Sequence, residues 1–282
     1  MAVPLYAVED NCADRRYPML AGDWVVACGK GGQIDRLVHL PDGRVLTLPT
    51  PLDPRKTGAG PGPSAGSAAL VQVGGAVRLY IVADGAVQQV DDTTRLPGSP
   101  AGLPATDGVH VAAVMDGRVE ALVATDKVRP SWTAHPVGWQ AVALNWPWVA
   151  WVQQGADGSE DVWTLQVDGA DPAPIAAGPE SQRLVVADAD GFAFVEDASL
   201  VRWRPELGVT ERLDAHTGFL SAPTSSEGQL CWEERKADVD DIDIVCSDNM
   251  AAAGPGDQLR PSRSGAWLLY RHEGRIWLRT AP

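Results

Sequence analysis

The sequence predicts an all-β fold, a β-propeller of seven four-stranded blades, on three observations. Short apolar runs rich in Val, Leu, Ile and Trp dominate, and no long window keeps helical apolar spacing without a Gly or Pro interruption. One type of apolar strand recurs seven times at steps of about 40 residues, the size of one propeller blade. The chain also ends on a hairpin that lacks an outer strand, while a spare apolar strand precedes the first repeat.

Each repeat consists of an apolar strand, a polar or Gly-containing turn and a second apolar strand. Turn signals such as Pro41-Asp42-Gly43 punctuate the pattern. Six blades remain the alternative, because the second and third repeats match the pattern weakly. The recurring strand is marked by Val25, Leu70, Val111, Val149, Phe192, Leu230 and Leu268.

The two ends of the chain are predicted to share one blade. Val3 to Val8 forms the spare strand, and the last hairpin stops close to Pro282 without a further strand. Pairing the N-terminal strand with the C-terminal hairpin would remove open sheet edges. We therefore expect residues 1–282 to form a single propeller domain.

The charge balance restricts the partners of the chain. Its 282 residues carry 23 Lys plus Arg against 37 Asp plus Glu, a formal net charge of −14. Nucleic-acid binding is excluded as a main function, because phosphate backbones require clustered basic residues.

No apolar run reaches the roughly 18 residues of a membrane span, so we expect no membrane insertion. No signal peptide is visible, and the start at Met1 decides nothing about export.

The four cysteines are candidates for disulfide bonds. They show neither C-x-x-C spacing nor the His spacing of a zinc site, so no metal site is predicted. Cys231 and Cys246 lie on the two strands of one predicted hairpin, and Cys12 and Cys28 bracket the entry to the first repeat. Cys12–Cys28 with Cys231–Cys246 is one of three connectivities, and four buried thiols are the alternative. Disulfides would place the protein in the periplasm or outside the cell.

Three of the repeats resemble TolB-type, WD40-like propeller repeats, whose pattern is an apolar strand, a hairpin loop, a second strand and then Asp-Gly. The matching residues are Trp148-Val149-Ala150-Trp151-Val152, Ser159 to Trp163, Val167-Asp168-Gly169, Trp267 to Tyr270 and Arg275-Ile276-Trp277. The resemblance implies the propeller fold and a bacterial envelope setting. TolB binds a lipoprotein and carries an additional N-terminal domain that this sequence does not show, so the role itself carries over only as an analogy.

The segment from Thr50 to Ser67 is rich in Pro and Gly, and we interpret it as a long surface loop. Within it, Gly62-Pro63-Ser64-Ala65-Gly66 matches the G-x-S-x-G pattern of a hydrolase nucleophile. That chemistry needs a buried strand before the serine and a helix after it. Neither is predicted here, so the match is a coincidence of composition, and no catalytic residue is assigned.

Acidic hairpin loops are the first candidate binding residues. An EF-hand is excluded, because counting from Asp238 puts Asp243 where the calcium loop needs glycine. Solvated hairpin tips are the simplest interpretation. A cation, with calcium the favoured one, or a basic protein surface is the functional alternative. The candidates are Asp157, Glu160 and Asp161 in the fourth repeat and Glu233, Glu234, Asp238, Asp240 and Asp241 in the sixth.

Tryptophan is unusually abundant, with 11 Trp against 3 Phe. Trp132 and Trp139 are candidates for exposure and ligand binding, because they fall outside the regular strand positions, as does Trp146. The others are expected to pack between blades. They are Trp24, Trp148, Trp151, Trp163, Trp232, Trp267 and Trp277.

These patterns are compatible with three functions. The leading hypothesis is a non-enzymatic scaffold whose loops bind a protein with a basic surface in the bacterial envelope or outside the cell. The alternative is a propeller lectin or metal-dependent hydrolase with a small-molecule or glycan site in the central channel. The third is a structural subunit of a surface assembly. The five histidines are dispersed over the repeats and indicate no catalytic set. No cofactor is predicted apart from calcium at the acidic loops.

Overall fold

The computed structural model describes residues 2–4, 12, 18–91, 96, 98–123, 131–133, 142–169, 171–175, 179–214, 223–235, 241–248 and 250–280. These residues form β-strands joined by turns and contain no helix, and therefore none that could cross a membrane. Alternating apolar residues with Gly- and Asp-containing turns favour this outcome, because each strand can bury one or both faces against a neighbouring sheet.

In chain order the strands are β1 (Ala2–Pro4), β2 (Met19–Ala21), β3 (Trp24–Cys28), β4 (Ile34–His39), β5 (Val45–Leu52), β6 (Thr57–Pro61), β7 (Ala68–Val73), β8 (Val77–Ala83), β9 (Ala86–Asp91), β10 (Ala105–Thr106), β11 (His110–Met115), β12 (Arg118–Val123), β13 (Ser131–Thr133), β14 (Ala143–Asn145), β15 (Trp148–Gln154), β16 (Glu160–Gln166), β17 (Ala173–Pro174), β18 (Gln182–Asp188), β19 (Gly191–Glu196), β20 (Ser199–Arg204), β21 (Gly208–Asp214), β22 (Thr224–Ser226), β23 (Gln229–Arg235), β24 (Ile242–Cys246), β25 (Ala251–Ala252), β26 (Gln258–Ser264), β27 (Trp267–His272) and β28 (Arg275–Thr280).

The strands form seven four-stranded sheets, which confirms the predicted seven-bladed β-propeller. Blades 1 to 6 are β2–β5, β6–β9, β10–β13, β14–β17, β18–β21 and β22–β25, and blade 7 is β26–β28 with β1. Neighbouring strands pair antiparallel throughout the described ladders. The recurring apolar strand of the sequence is the second strand of every blade.

Blade 7 is completed by the N-terminal strand, as the sequence predicts. β1 lies on the outer edge of the hairpin β27–β28, with Ala2 opposite Arg279, Val3 opposite Leu278 and Pro4 opposite Trp277. The edge that the C-terminal hairpin leaves open is thereby covered. Residues 5–8 of the predicted strand lie outside the described residues.

The chain divides into two compact units, Met1–Leu5 with Asn145–Pro282, and Tyr6–Leu144. In the second unit one apolar cluster joins blades 1 and 2 around Trp24, Leu37 and Leu70, and another joins blades 2 and 3 around Val71 and Val111. These side chains are almost fully inaccessible to solvent, so burial of apolar surface between sheets holds the blades together.

In the unit that contains Asn145–Pro282, two further apolar clusters have the same function. One lies between blades 5 and 6 around Ala193, Leu230 and Trp232, and the other lies between blades 6 and 7 around Ile244 and Leu268. Blades 2 and 6 therefore bury both faces of their second strand, which explains why that strand is apolar at consecutive positions.

The Pro- and Gly-rich segment from Thr50 to Ser67 is not the long surface loop that its composition suggested. It contains the end of β5 and the whole of β6, the first strand of blade 2. A Cβ atom on Gly58 would lie 1.8 Å from the carbonyl oxygen of Pro104, and one on Gly60 would lie 2.4 Å from that of Thr106. The glycines therefore allow the backbone of blade 3 to approach that of blade 2 closely.

Ser64 lies exposed in the turn between β6 and β7. Its backbone nitrogen donates to the Ser67 hydroxyl at 3.0 Å, and that hydroxyl donates back to the Ser64 carbonyl oxygen at 2.5 Å. Antiparallel strands flank the turn, and no helix follows. The serine is part of a structural turn, in agreement with the interpretation of the G-x-S-x-G match as a coincidence.

Both disulfides of the favoured connectivity are present, and the described residues contain no free cysteine. Cys12–Cys28 and Cys231–Cys246 close segments with sequence separations of 16 and 15 residues. Cys231 and Cys246 face each other directly in the ladder between β23 and β24. The predicted pairing is confirmed.

Removing either disulfide by a double Cys→Ala change is expected to lower the free energy of unfolding by about 3 kcal/mol, because the unfolded chain regains loop entropy. Urea denaturation of C12A/C28A and C231A/C246A, compared with the oxidised wild type, measures the effect. Equal stability of a variant and the wild type would show that the bond constrains neither state.

Candidate functional site

The first strands of blades 5 and 7 begin with the same unusual arrangement. Gln182 opens β18 and Gln258 opens β26, and their exposed fractions are 1% and 3%. In the register of each hairpin, Gln182 lies opposite Glu196 and Gln258 lies opposite His272. A buried amide at an equivalent place in two blades indicates a shared structural motif, because buried polar groups need specific partners.

Each of these two strands carries a β-bulge just after its glutamine. The register shifts between Arg183 and Val186 in β18, and between Leu259 and Ser262 in β26. Inside the bulges Leu184 has φ 59° and Arg260 has φ 57°, a left-handed conformation that non-glycine residues adopt at a cost. Bulges and strained residues of this kind concentrate near functional sites.

In blade 5 both polar ends of the Gln182 amide are hydrogen-bonded to protein groups. Gln182 donates from Nε2 to Glu196 at 3.0 Å, and its Oε1 accepts the backbone N–H of Val162 in blade 4 at 3.1 Å. The guanidinium of Arg212 pairs with the other carboxylate oxygen of Glu196. Both ends of the amide are satisfied, so this motif joins blades 4 and 5 and has a structural role.

The arrangement in blade 7 differs at the corresponding atoms. The Nε2 atom of Gln258 donates to the carbonyl oxygen of Gly256 at 2.5 Å and lies 3.2 Å from Nδ1 of His272. That ring nitrogen also lies 3.2 Å from the carbonyl oxygen of Asp257. Within the described part of the chain, Gln258 Oε1 is a buried oxygen without a hydrogen-bond partner.

Blade 6 contributes a carboxylate to the same region. Glu233 is only 5% exposed, and its Oε1 accepts the backbone N–H of Arg260, the left-handed residue of the bulge. We call this group the β26 cluster; its members are Glu233, Gln258, Arg260 and His272. Together they bring a carboxylate, an amide and an imidazole to the start of a strand whose bulge carries Arg260, which is a set suited to binding polar ligands and transferring protons.

The acidic candidates of the fourth repeat occupy the hairpin between β15 and β16. Asp157 is exposed and accepts hydrogen bonds from the Ser159 hydroxyl at 2.6 Å and the Ser159 amide at 3.0 Å. These bonds lower the pKa of Asp157 below its ordinary value. Asp161 is 7% exposed and contacts the same hydroxyl at 3.3 Å, and Glu160 is half-buried at the start of β16.

The candidates of the sixth repeat are divided between buried and half-buried positions. Glu233 belongs to the β26 cluster, and Glu234 accepts the indole N–H of Trp232 at 3.3 Å. Blade 4 repeats this last contact, since Trp151 donates to Gln153 at 3.0 Å. Asp241 is half-buried next to β24. Asp238 and Asp240 lie outside the described residues.

The tryptophan candidates are only partly described. Trp132 lies on β13, of which the structure describes the backbone alone, and Trp139 lies outside the described residues. Trp146 is half-buried. Among the tryptophans expected to pack between blades, three are buried, namely Trp24, Trp151 and Trp232. Trp148, Trp163, Trp267 and Trp277 are partly exposed.

The residues of the β26 cluster other than Glu233 were missed in the sequence. One signal could have found them: Pro179-Glu180-Ser181-Gln182 and Pro255-Gly256-Asp257-Gln258 share a P-x-x-Q pattern at equivalent places in two repeats. The pattern does not show which glutamine lacks a partner, because that depends on contacts with the preceding blade.

These features define the class of the protein as a seven-bladed β-propeller with a polar, bulged strand start in blade 7. Solved structures share the fold. An oligogalacturonate lyase from Vibrio parahaemolyticus matches with a TM-score of 0.57 and 15% identity over 94% of this chain and 90% of that one. An oligogalacturonate lyase in complex with manganese matches with a TM-score of 0.60 and 14% identity over 89% and 84%.

No protein-family model matches the chain, and no curated protein matches it. The TolB-type resemblance of the repeats is therefore confirmed only as far as the propeller fold.

The leading hypothesis of a non-enzymatic scaffold is corrected by the structural comparisons, because the similar propellers named above are enzymes. The alternative, a propeller acting on a small molecule or glycan, agrees better with them.

A metal cofactor is suggested by the manganese complex of the second lyase, and calcium was the cation predicted from the acidic loops. The donor sets of the described residues do not fit such an ion: no group of three or more His, Cys, Asp or Glu side chains converges there. Asp157 and Asp161 supply two carboxylates around one hydroxyl, fewer than the six to eight oxygens that calcium takes. No chemical step is therefore assigned to a metal.

Proposed function

We propose that the protein is a propeller enzyme that acts on a glycan at the β26 cluster. The observation that carries this proposal is the bulge in β26, which holds Arg260 in a left-handed conformation against Glu233 and next to the Gln258–His272 pair. The oligogalacturonate lyases that share the fold make an oligosaccharide of uronic acids the first substrate to test.

The side chains of the cluster have complementary capacities. Nδ1 of His272 has a protein partner in either tautomer, because it accepts from Gln258 Nε2 when unprotonated and donates to the Asp257 carbonyl oxygen when protonated. The Nε2 atom of the ring is therefore the one that would exchange a proton with a substrate. The Arg260 guanidinium can pair with a uronate carboxylate in a bidentate manner. Glu233 fixes the backbone at Arg260 and thereby positions that side chain.

The net charge of −14 predicts how ionic strength affects this reaction. A polyanionic substrate is repelled by the surface at low salt, and salt screens that repulsion beyond about 10 Å at 0.1 M. We therefore expect kcat/KM for an oligogalacturonate to rise as NaCl increases from about 10 to 150 mM, whereas kcat/KM for a neutral oligosaccharide stays constant.

The proposal is tested by incubating the purified protein with oligogalacturonate and with neutral cello- and xylo-oligosaccharides, each with EDTA, Ca²⁺ or Mn²⁺, and analysing products by mass spectrometry. His272→Ala is expected to lower kcat/KM about 100-fold, the low end for loss of a general acid or base. Arg204→Ala is the control, because the ion pair of Arg204 with Asp190 is exposed and lies in another blade. Absence of product from every glycan and metal combination overturns the proposal.

Three further predictions concern the location of the protein, its partner and the origin of its repeats. The pair of disulfides supports an exported protein, periplasmic or extracellular, because such bonds persist in oxidising compartments. Fractionation of the source cells followed by immunoblotting tests it, and recovery in the cytoplasm alone would contradict it. A basic protein partner for the acidic loops and a TolB-type origin of the repeats both stay predictions.

A further inference from the structure

Gln258 and Gln182 are structurally equivalent, but their carbonyl oxygens differ in hydrogen bonding. Both side chains are nearly inaccessible to solvent, both open the first strand of a blade, and both precede a bulge. Gln182 Oε1 accepts the Val162 amide at 3.1 Å. Gln258 Oε1 has no partner within the described residues.

The difference lies in the contact with the preceding blade. Val162 lies opposite Val152 in blade 4, and Ile244 holds the corresponding place in blade 6, opposite Glu233. In blade 4 the Val162 carbonyl oxygen accepts the Ile175 amide at 2.8 Å, and the Val162 amide donates to Gln182. In blade 6 Ile244 lies opposite Ala252 in the pairing of β24 with β25, and its amide does not donate to Gln258 Oε1.

The Gln258 amide is held in one orientation. Its Nε2 donates to the Gly256 carbonyl oxygen at 2.5 Å and lies 3.2 Å from the His272 ring. Rotating the amide by half a turn would place Oε1 next to the Gly256 carbonyl oxygen. Both atoms are acceptors, so they would repel each other. A fixed, desolvated acceptor is costly unless something donates to it, so its presence requires a functional or structural explanation.

We infer that Gln258 Oε1 accepts a hydrogen bond from one hydroxyl group of the glycan bound at the β26 cluster. An amide oxygen only accepts, so it recognises a hydroxyl and cannot recognise the carboxylate of a uronate, which brings no hydrogen. Gln258 thus selects for the hydroxyl pattern of the sugar, and Arg260 for its charge. This inference rests on the proposed function and names the specificity-determining atom of that site.

The test measures binding of the oligosaccharide that the wild-type chain accepts, and of its monodeoxy analogues, by isothermal titration calorimetry. Gln258→Met, which keeps the side-chain length and removes the acceptor, is expected to weaken binding about tenfold. One monodeoxy analogue should bind the wild type about tenfold more weakly than the parent sugar and should bind Gln258→Met as well as the parent does.

Gln182→Met is the matched control. It leaves the Val162 amide without its acceptor and one oxygen of Glu196 without its donor, so the variant is expected to melt at a lower temperature. The folded fraction is expected to bind the sugar with unchanged affinity. If Gln258→Met does not fold, the monodeoxy series on the wild-type chain still decides the matter.

Three outcomes would contradict the inference. Unchanged affinity of Gln258→Met shows that the oxygen is satisfied by a structural water only, and a monodeoxy series without any weakened member leads to the same conclusion. In both cases the proposed function survives. A wild-type chain that binds no glycan overturns the proposed function first, and the assignment of Gln258 with it.

Discussion

Gly58→Ala is expected to destabilise the protein by about 3 kcal/mol, the upper end of the usual cost of overpacking. The added Cβ atom would lie 1.8 Å from the carbonyl oxygen of Pro104, which belongs to the backbone and cannot rotate away. Relief of the clash requires β6 to move away from the start of β10, which opens the contact between blades 2 and 3. Urea denaturation followed by tryptophan fluorescence measures the change.

Gly31→Ala provides the control for this prediction. A Cβ atom on Gly31 would meet no heavy atom within 4 Å, so its effect should remain within about 0.5 kcal/mol. Equal unfolding midpoints for the Gly58→Ala and Gly31→Ala variants would show that the two blades do not approach as closely as the structure indicates.

Asp248→Asn is the second substitution with a large expected effect. The Arg263 side chain is only 3% exposed and donates from Nη1 and Nη2 to the two oxygens of Asp248 at 2.9 and 2.7 Å. Removing the carboxylate charge leaves a buried guanidinium without its counter-ion, which costs about 3 kcal/mol or more. Asp190→Asn is the control, because the Asp190–Arg204 pair is exposed and worth about 0–1 kcal/mol.

The same pair predicts a pH dependence. Hydrogen bonds from Arg263 hold the pKa of Asp248 below its ordinary value of 3.8. The pKa of Asp248 is therefore lower in the folded state than in the unfolded state, where it is near 3.8. The ion pair stabilises the fold fully above the unfolded-state pKa, and this stabilisation is lost as the pH falls from there through the folded-state pKa. Unfolding free energies of the wild type should therefore fall more steeply in this acid range than those of Asp248→Asn. Parallel curves would contradict the assignment.

Much of the fold could be predicted from local patterns. Each blade repeats one apolar second strand such as Val149–Val152 and one tight turn such as Asp168-Gly169, and both signals are carried by neighbouring residues. The pairing of the two chain ends followed from counting strands. The cysteine pairing followed from the hairpin register for Cys231–Cys246 and from proximity along the chain for Cys12–Cys28.

The Pro/Gly segment shows where local patterns were insufficient. Gly58 and Gly60 suggested a loop, because glycine disfavours strands in isolation. Their role in β6 comes from the backbone of another blade, which leaves no room for a Cβ atom. The acidic loops show a related effect: Asp161 and Glu233 read as solvated charges in the sequence, yet contacts across the fold bury them.

Periodicity and spacing along the chain thus predict the all-β class, the number of blades, the closure by both chain ends and the disulfide pairs. Only the packing of neighbouring blades shows that Gln258 differs from Gln182 and that the Arg260 amide donates to Glu233. Those contacts join residues of neighbouring blades, and hydrogen-bond satisfaction between blades depends on ladder register that no local pattern in the chain specifies.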